Sequence, residues 1–130
     1  MARPLIAILR GGYTGESVIS IQSARTMMEA LDTARFEGLY VTVERTNWTC
    51  ETPDGSPMPF DRAHFATNRG QGTEPFAAAL IAIHGTPGED GKLQGYLDML
   101  GIPYQTGGVL AMALTMSKFS TTGLLGQMGF

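Results

Sequence analysis

"AALIAIHGTPGEDGKLQG", residues 78–95, passes from six apolar residues through a glycine-rich turn into a stretch of mixed polarity. A short unbroken apolar run bounded by turn residues reads as a strand buried on both faces of a parallel sheet. Past the turn, Leu93, Tyr96, Leu97 and Leu100 share one helical face, with Asp90 placed to cap the helix start and Gly101 to stop it. Strand, hard turn and helix in that order are half of a βαβ unit.

The pattern recurs at the start of the chain. "PLIAIL" (4–9) is a second buried run, broken by "RGGYTGE". Val18, Ile21, Ala24, Met28 and Leu31 then fall three or four apart, predicting a helix with Gly38 as its left-handed stop. "LYVTV" (39–43) reads as a strand, "IPYQT" (102–106) as a fourth, "GGVLAMALTMSK" (107–118) as a helix, and "STTGLLGQM" (120–128) as a short helix ending at Gly129. Residues 46–74 hold three prolines and many small polar residues, which predicts an irregular excursion with room for a hairpin and little helix. The alternation predicts an α/β fold: a three-layer, Rossmann-like domain with a short, mainly parallel sheet of about four strands. Ligands of such sheets bind beyond the carboxyl ends of the strands, and both glycine turns, 11–15 and 85–91, belong to that edge.

With 130 residues, 43% of them hydrophobic and 16% charged, the chain suits one folded domain rather than a disordered segment. The net charge is −3 and the basic residues are scattered, so neither nucleic acid nor an anionic membrane is an expected partner. "MARPLIAILRGG" is too short in apolar residues for a signal-peptide core or a membrane span. The single cysteine, Cys50, has no internal partner for a disulfide, and a reducing cytoplasm is the expected location.

"GGYTGE" (11–16) follows a strand as phosphate loops do, but its glycine spacing matches neither the dinucleotide nor the P-loop pattern. Glu16 would also set a carboxylate where backbone N–H groups should meet phosphate. Two readings remain for Glu16: a site for a cation such as a substrate ammonium, or an acid that only complements the helix dipole. "HGTPGEDG" offers His84, Glu89 and Asp90. No second histidine stands at helical spacing, so no metal site is expected. His84 either faces a ligand or is satisfied by backbone at a strand end. His64 reads as a surface residue and Cys50 as a buried thiol, while Trp48, Met27, Met28, Met112 and Met116 read as core fillers. Lys118 is either a solvated helix-end lysine or a phosphate contact.

These motifs together resemble the D-alanine–D-alanine ligase family. "HGTPGEDGKLQG" is similar to its signature that begins His-Gly and runs through Gly-Glu-Asp-Gly to Gln-Gly; "GGYTGESVISIQSA" is similar to its Gly-Gly-x-Ser-x-Glu motif followed by Val-Ser; and "LGIPYQTGGVLAMALTMSK" resembles the segment that follows. The resemblance covers nearly all of the chain except residues 46–74. It implies that Glu16 orients the amino group of the first D-alanine and that His84 stands beside that substrate's carboxylate. Ile19 and Ser20 would correspond to the Val-Ser pair, with Ile19 lining the methyl pocket, and Lys118 would reach ATP phosphates. Thr14 keeps the hydroxyl of the usual serine, whereas Gln105, Thr106 and Ser117 depart from the family pattern.

The implied activity is ATP-dependent joining of two D-alanines through an acyl-phosphate, for peptidoglycan synthesis. ATP and Mg2+ are the implied cofactors, with the magnesium ligands outside this chain, and a homodimer is the implied assembly. Residues 1–130 would be the amino-terminal substrate domain without the ATP-grasp domain, inactive alone. Gly129 and Phe130 read as a helix cap and the start of another element, which also predicts a piece of a longer protein. A D-alanine–D-lactate ligase and a stand-alone, non-catalytic binding module are the alternatives, and helix 107–116 is the expected contact with a second copy.

Overall fold

The apolar run at 4–9 becomes β1 (Leu5–Gly11), the strand around which the sheet is built. The computed structural model describes residues 3–129, except the side chains of 118–120. β1 pairs in parallel with β2 (Glu37–Val43) on one side and with β8 (Ala78–Ile81) on the other. Leu5, Ala7 and Leu9 point to one face and Ile8 to the other, and the side chains of Ile8 and Leu9 are fully buried. Burial of such a side chain contributes ~1.5–3 kcal/mol.

Helix α1 (Ser17–Ala30) covers the face that carries Ile8, Tyr40 and Ala82. Helix α2 (Lys92–Leu100) covers the opposite face, laying Leu93 and Leu97 on Leu9, Val41 and Val43. These are the three expected layers.

The expected face of α1 holds at Ala24 and Met28, which pack on the Ile8 side of the sheet, and fails in the first turns. Val18 and Ile21 are 65% and 41% exposed, while Ser20 and Ala24 are completely buried. The cause is a hydrogen bond: the Gly11 N–H donates to Ser20 Oγ at 2.9 Å, which turns the small side chains of α1 onto β1. Gly38 is not the helix stop. The helix ends at Ala30, with Leu31 extended, and Gly38 lies inside β2. There its missing side chain makes room for the helix, since a Cβ would stand 2.7 Å from Met28 Sδ and 2.8 Å from Leu31 Cδ2.

The fourth parallel strand is reduced to one bridge, Ala79 to Tyr104. Pro103 has no N–H to offer a ladder. The Gln105 side chain continues it instead, accepting from Ile81 N–H and donating to Ile81 O, both at 2.8 Å.

The excursion after β2 extends the sheet antiparallel through β3 (Trp48–Glu51) and β4 (Pro57–Met58), giving the order β4-β3-β2-β1-β8. It then forms a separate antiparallel sheet of β5 (Phe60–Asp61), β6 (Ala66–Asn68) and β7 (Thr73–Pro75). Phe65, at φ 51, turns its ring inward between Phe76 and Tyr96, with centroids 5.0 and 5.9 Å away. Trp48 packs edge-on to Tyr96 at 5.2 Å, so it is a core filler as expected. Helices α3 (Val109–Met116) and α4 (Lys118–Gln127) follow α2. Met27, Met28 and Met112 are half-buried, but Met116 is 46% exposed, because α3 buries no residue.

Candidate functional site

Two loops meet at the carboxyl edge of the sheet. The first leaves β1 through Gly11 and Gly12, both at φ 98. A Cβ on Gly11 would lie 2.8 Å from Val43 O, and one on Gly12 would lie 2.7 Å from Ile83 Cγ2, so the chain needs glycine at both positions. Tyr13 N–H donates to Thr86 O at 3.1 Å, tying this loop to the second. The Thr14 hydroxyl makes the other tie, donating to His84 O at 3.4 Å and accepting from Glu16 N–H at 3.2 Å.

Glu16 is the residue before α1, exposed, and its carboxylate makes no hydrogen bond to the helix N-terminus. The contact that fixes its neighbourhood is with Gly85: a Cβ there would stand 2.9 Å from Thr14 Cγ2 and 3.4 Å from Glu16 Oε2. The glycine after the histidine thus lets the two loops touch, and Glu16 and His84 are delivered to the same edge.

His84 is half-buried. Its Nε2 lies 3.2 Å from Ser23 Oγ on α1, and its Nδ1 lies 3.8 Å from Glu89 Oε1. It lines a cavity of about 220 Å³ together with Ser23, Met27, Glu89, Thr106 and Met112. The backbone-satisfied alternative for the imidazole does not describe it, because its partners are side chains.

The second loop is built to hold this shape. Gly88 has no room for a side chain, with Ile83 O only 2.7 Å from the Cβ position. Gln94, wholly buried, donates to Gly88 O at 2.7 Å and to Thr106 Oγ1 at 2.9 Å. The residue capping α2 is Gly91, at φ 90, rather than Asp90. Asp90 acts one position earlier, accepting from Lys92 N–H at 3.2 Å and pairing with the Lys92 ammonium at 3.2 Å. Burial works against the charge of Asp90, but hydrogen bonds and Lys92 outweigh it and hold the carboxyl below its usual range.

The remaining candidates divide. Ile19 is 51% exposed beside Glu16. Ser20 has no exposed surface and its hydroxyl is engaged by Gly11 N–H, so it braces the loop from beneath and does not line the edge. Lys118 opens α4, and its side chain lies outside the described residues. His64 is on the surface, its Nδ1 2.6 Å from Asp61 Oδ2, and hydrogen bonding to it lowers the Asp61 pKa. Cys50 is buried, which pushes its thiol up to about 11. Among the described residues no three of His, Cys, Asp and Glu gather as metal ligands, and no helix is long and apolar enough to cross a membrane. Ser23 was not singled out from sequence. Its spacing was the available signal, because seven residues after Glu16 is two helical turns along the same face.

An α/β domain whose Gly-Gly-x-Thr-x-Glu and His-Gly loops touch at the carboxyl edge is the class of domain that fold and site define. The family described as D-ala D-ala ligase N-terminus matches residues 5–107, and the chain belongs to it. The D-alanine–D-alanine ligase of Porphyromonas gingivalis (strain ATCC 33277) is 39% identical over 129 residues, covering 99% of this chain and 39% of its own length. D-alanyl-alanine synthetase A from Vibrio cholerae is similar in structure, with a TM-score of 0.83 and 29% identity over 98% of this chain and 38% of that one. The D-alanine–D-alanine ligase from Bacillus anthracis complexed with ATP has a TM-score of 0.72 and 25% identity, over 99% of this chain and 36% of its own. The chain therefore spans well under half the length of these proteins.

Proposed function

We propose that the protein carrying this chain is an ATP-dependent D-alanine–D-alanine ligase of peptidoglycan synthesis, with residues 1–130 as its amino-terminal substrate domain. The observation that carries this reading is the contact of Gly85 with Thr14 and Glu16, which puts a free carboxylate and an imidazole on one edge. An exposed carboxylate without a helix-capping bond suits the ammonium of a first D-alanine. Ile19, exposed beside it, suits the methyl group, and His84 suits the substrate carboxylate. Ser20 contributes through the loop it braces. These groups position the amino acid, and positioning is a large part of what such a ligation requires of a protein.

ATP with Mg2+ would supply the phosphoryl group that activates a D-alanine carboxyl. The described residues do not make a site for either: no acidic cluster is present, and Glu16 occupies the loop that would have to meet phosphate. The nucleotide is therefore assigned to the ATP-grasp region that the longer relatives leave room for, and the phosphate contact to Lys118 by its place in the motif. One wall of a site cannot offset the entropy lost on immobilising a ligand, so the 130-residue chain alone binds D-alanine weakly and turns nothing over. The cytoplasm, where ATP is available, is the assigned location. A homodimer contact is assigned to α3, whose Leu110 is 78% exposed.

The full-length protein should release phosphate from ATP only when D-alanine is supplied. Phosphate release that ignores D-alanine would overturn the reading. Sedimentation of the full-length protein checks the assembly, and a strict monomer at high concentration would remove the dimer.

A further inference from the structure

Ser23 stands on α1 two turns beyond Glu16, with its hydroxyl 3.2 Å from His84 Nε2. We propose that Ser23 is the positioning residue of His84, fixing the imidazole against α1 so that the ring holds one orientation at the first-substrate edge. The proposal rests on the reading of His84 as a substrate-side group.

Three features single out Ser23. The other partner of the ring, Glu89, lies 3.8 Å from Nδ1, which is beyond direct hydrogen bonding. Glu89 also belongs to the loop that carries His84 itself, so it moves with the histidine, whereas Ser23 belongs to a separate helix packed on the sheet. Within the cavity the nearby apolar side chains, Met27 and Met112, offer only weak sulfur acceptors. Ser23 is therefore the close, independently anchored polar group that the ring meets.

A hydroxyl is also the suitable chemical group. When the imidazole is neutral with its proton on Nδ1, facing Glu89, the Ser23 hydroxyl donates to bare Nε2. When the imidazolium forms, or the proton sits on Nε2, the same oxygen accepts from Nε2–H. A backbone carbonyl at that place could only accept and would impose one tautomer. Ser23 thus holds the ring in place whichever ring nitrogen carries the proton. With 38% of its side chain exposed, the imidazole has room to swing outward once that anchor is lost.

The test compares Ser23→Ala and Ser23→Thr in the full-length protein. The first readout is the 15N NMR signature of the His84 ring, assigned by difference against His84→Asn. Ser23→Ala should shift both ring nitrogens toward the averaged values of an unanchored imidazole, and Ser23→Thr, which keeps the hydroxyl, should restore them. The second readout is steady-state kinetics. Loss of one hydrogen bond that orients a binding group should raise KM for the first D-alanine by about tenfold, with kcat changed far less and Thr again restoring the value. Ring nitrogens that are identical in wild type and Ser23→Ala overturn the proposal. A shifted ring with an unchanged KM upholds Ser23 as the anchor and instead removes His84 from the substrate-binding reading. Equal losses that Thr does not restore mean that Ser23 only packs the helix, and they overturn it.

Discussion

The loop after β1 is held by distant parts of the chain, whereas the loop after β8 is held largely by itself. Gly11, Gly12 and Tyr13 send their N–H groups to Ser20, Val43 and Thr86, one partner on α1, one on β2 and one on the other loop. In the second loop Gly88 and Glu89 both donate to Gly85 O, and Leu93 donates to Pro87 O, all within nine residues of each other. The loop that carries the carboxylate is therefore a tertiary construction, and the loop that carries the imidazole is a local one. Their mutual contact at Gly85 is the point where a change in either reaches the site.

The largest expected effect tests whether the first loop exists for its carboxylate. Glu16→Gln in the full-length protein removes the partner of an ammonium, and truncating one member of a charge pair in a binding site costs ~2–5 kcal/mol, or roughly 30-fold to several thousand-fold in kcat/KM for D-alanine. Stability should fall by no more than the ~0.3–1 kcal/mol of a helix-dipole interaction, because the side chain caps nothing. Turnover that survives while the melting temperature falls would make Glu16 a helix acid only and would erase the functional difference between the loops.

Next in size is the pair Gly11→Ala and Gly85→Ala, read by denaturant unfolding. At Gly11 the new Cβ meets Val43 O, which is backbone and cannot yield, and the left-handed backbone adds ~1–2 kcal/mol. The expected loss is about 3 kcal/mol once the overpacking is included. At Gly85 the Cβ meets the Thr14 and Glu16 side chains, which can turn away, so the stability loss should be closer to the ~1–2 kcal/mol of the backbone alone. Gly85→Ala should nevertheless weaken D-alanine binding disproportionately, since what yields is Glu16. Equal stability losses at the two positions would contradict the distinction between a loop braced on backbone and one pressed against side chains.

Ser20→Ala should cost about 1–2 kcal/mol, because it leaves the buried Gly11 N–H without an acceptor, offset in part by the better helix propensity of alanine. Thermal unfolding checks this, and an unchanged midpoint would mean that the first loop does not depend on α1.

The same local-versus-distant difference decided what the sequence could reveal. The second loop was readable as strand, turn and helix because its determinants (the apolar run 78–83, the glycines and the stripe from Leu93 to Leu100) are contiguous. Ala24 and Met28 follow the helical period, but the first turns of α1 do not, because the choice between Val18 and Ser20 depends on a hydrogen bond to Gly11, nine residues before Ser20 and on another element. Gly38 has the composition of a helix stop but sits in β2 to admit Met28, a contact between elements. The reduced fourth strand turns on Pro103 and on a Gln105 side chain that pairs with Ile81, and no periodicity displays such a pairing. For the site, the types and places of Glu16 and His84 could be read from motif spacing, while Ser23 required the packing of α1 beside the second loop.

The smallest effect probes the self-sufficiency of the second loop. Asp90 accepts from Lys92 N–H at the start of α2 and pairs with its ammonium, 15% of the aspartate side chain being exposed. Asp90→Asn keeps an acceptor and loses the charge, so the expected cost is about 0.5 kcal/mol, at the low end of capping effects. The pH dependence gives the sharper reading. The folded carboxyl is held below its ordinary value of 3.8, so the unfolded state binds the proton more readily. The contribution of Asp90 is therefore complete above that ordinary value and disappears as pH falls through the lower folded value. Wild type and Asp90→Asn should differ at neutral pH and converge in acid. A gap that stays constant from neutral to strongly acidic pH would show that Asp90 supports the loop through its shape alone, and that the loop's stability owes nothing to the charge.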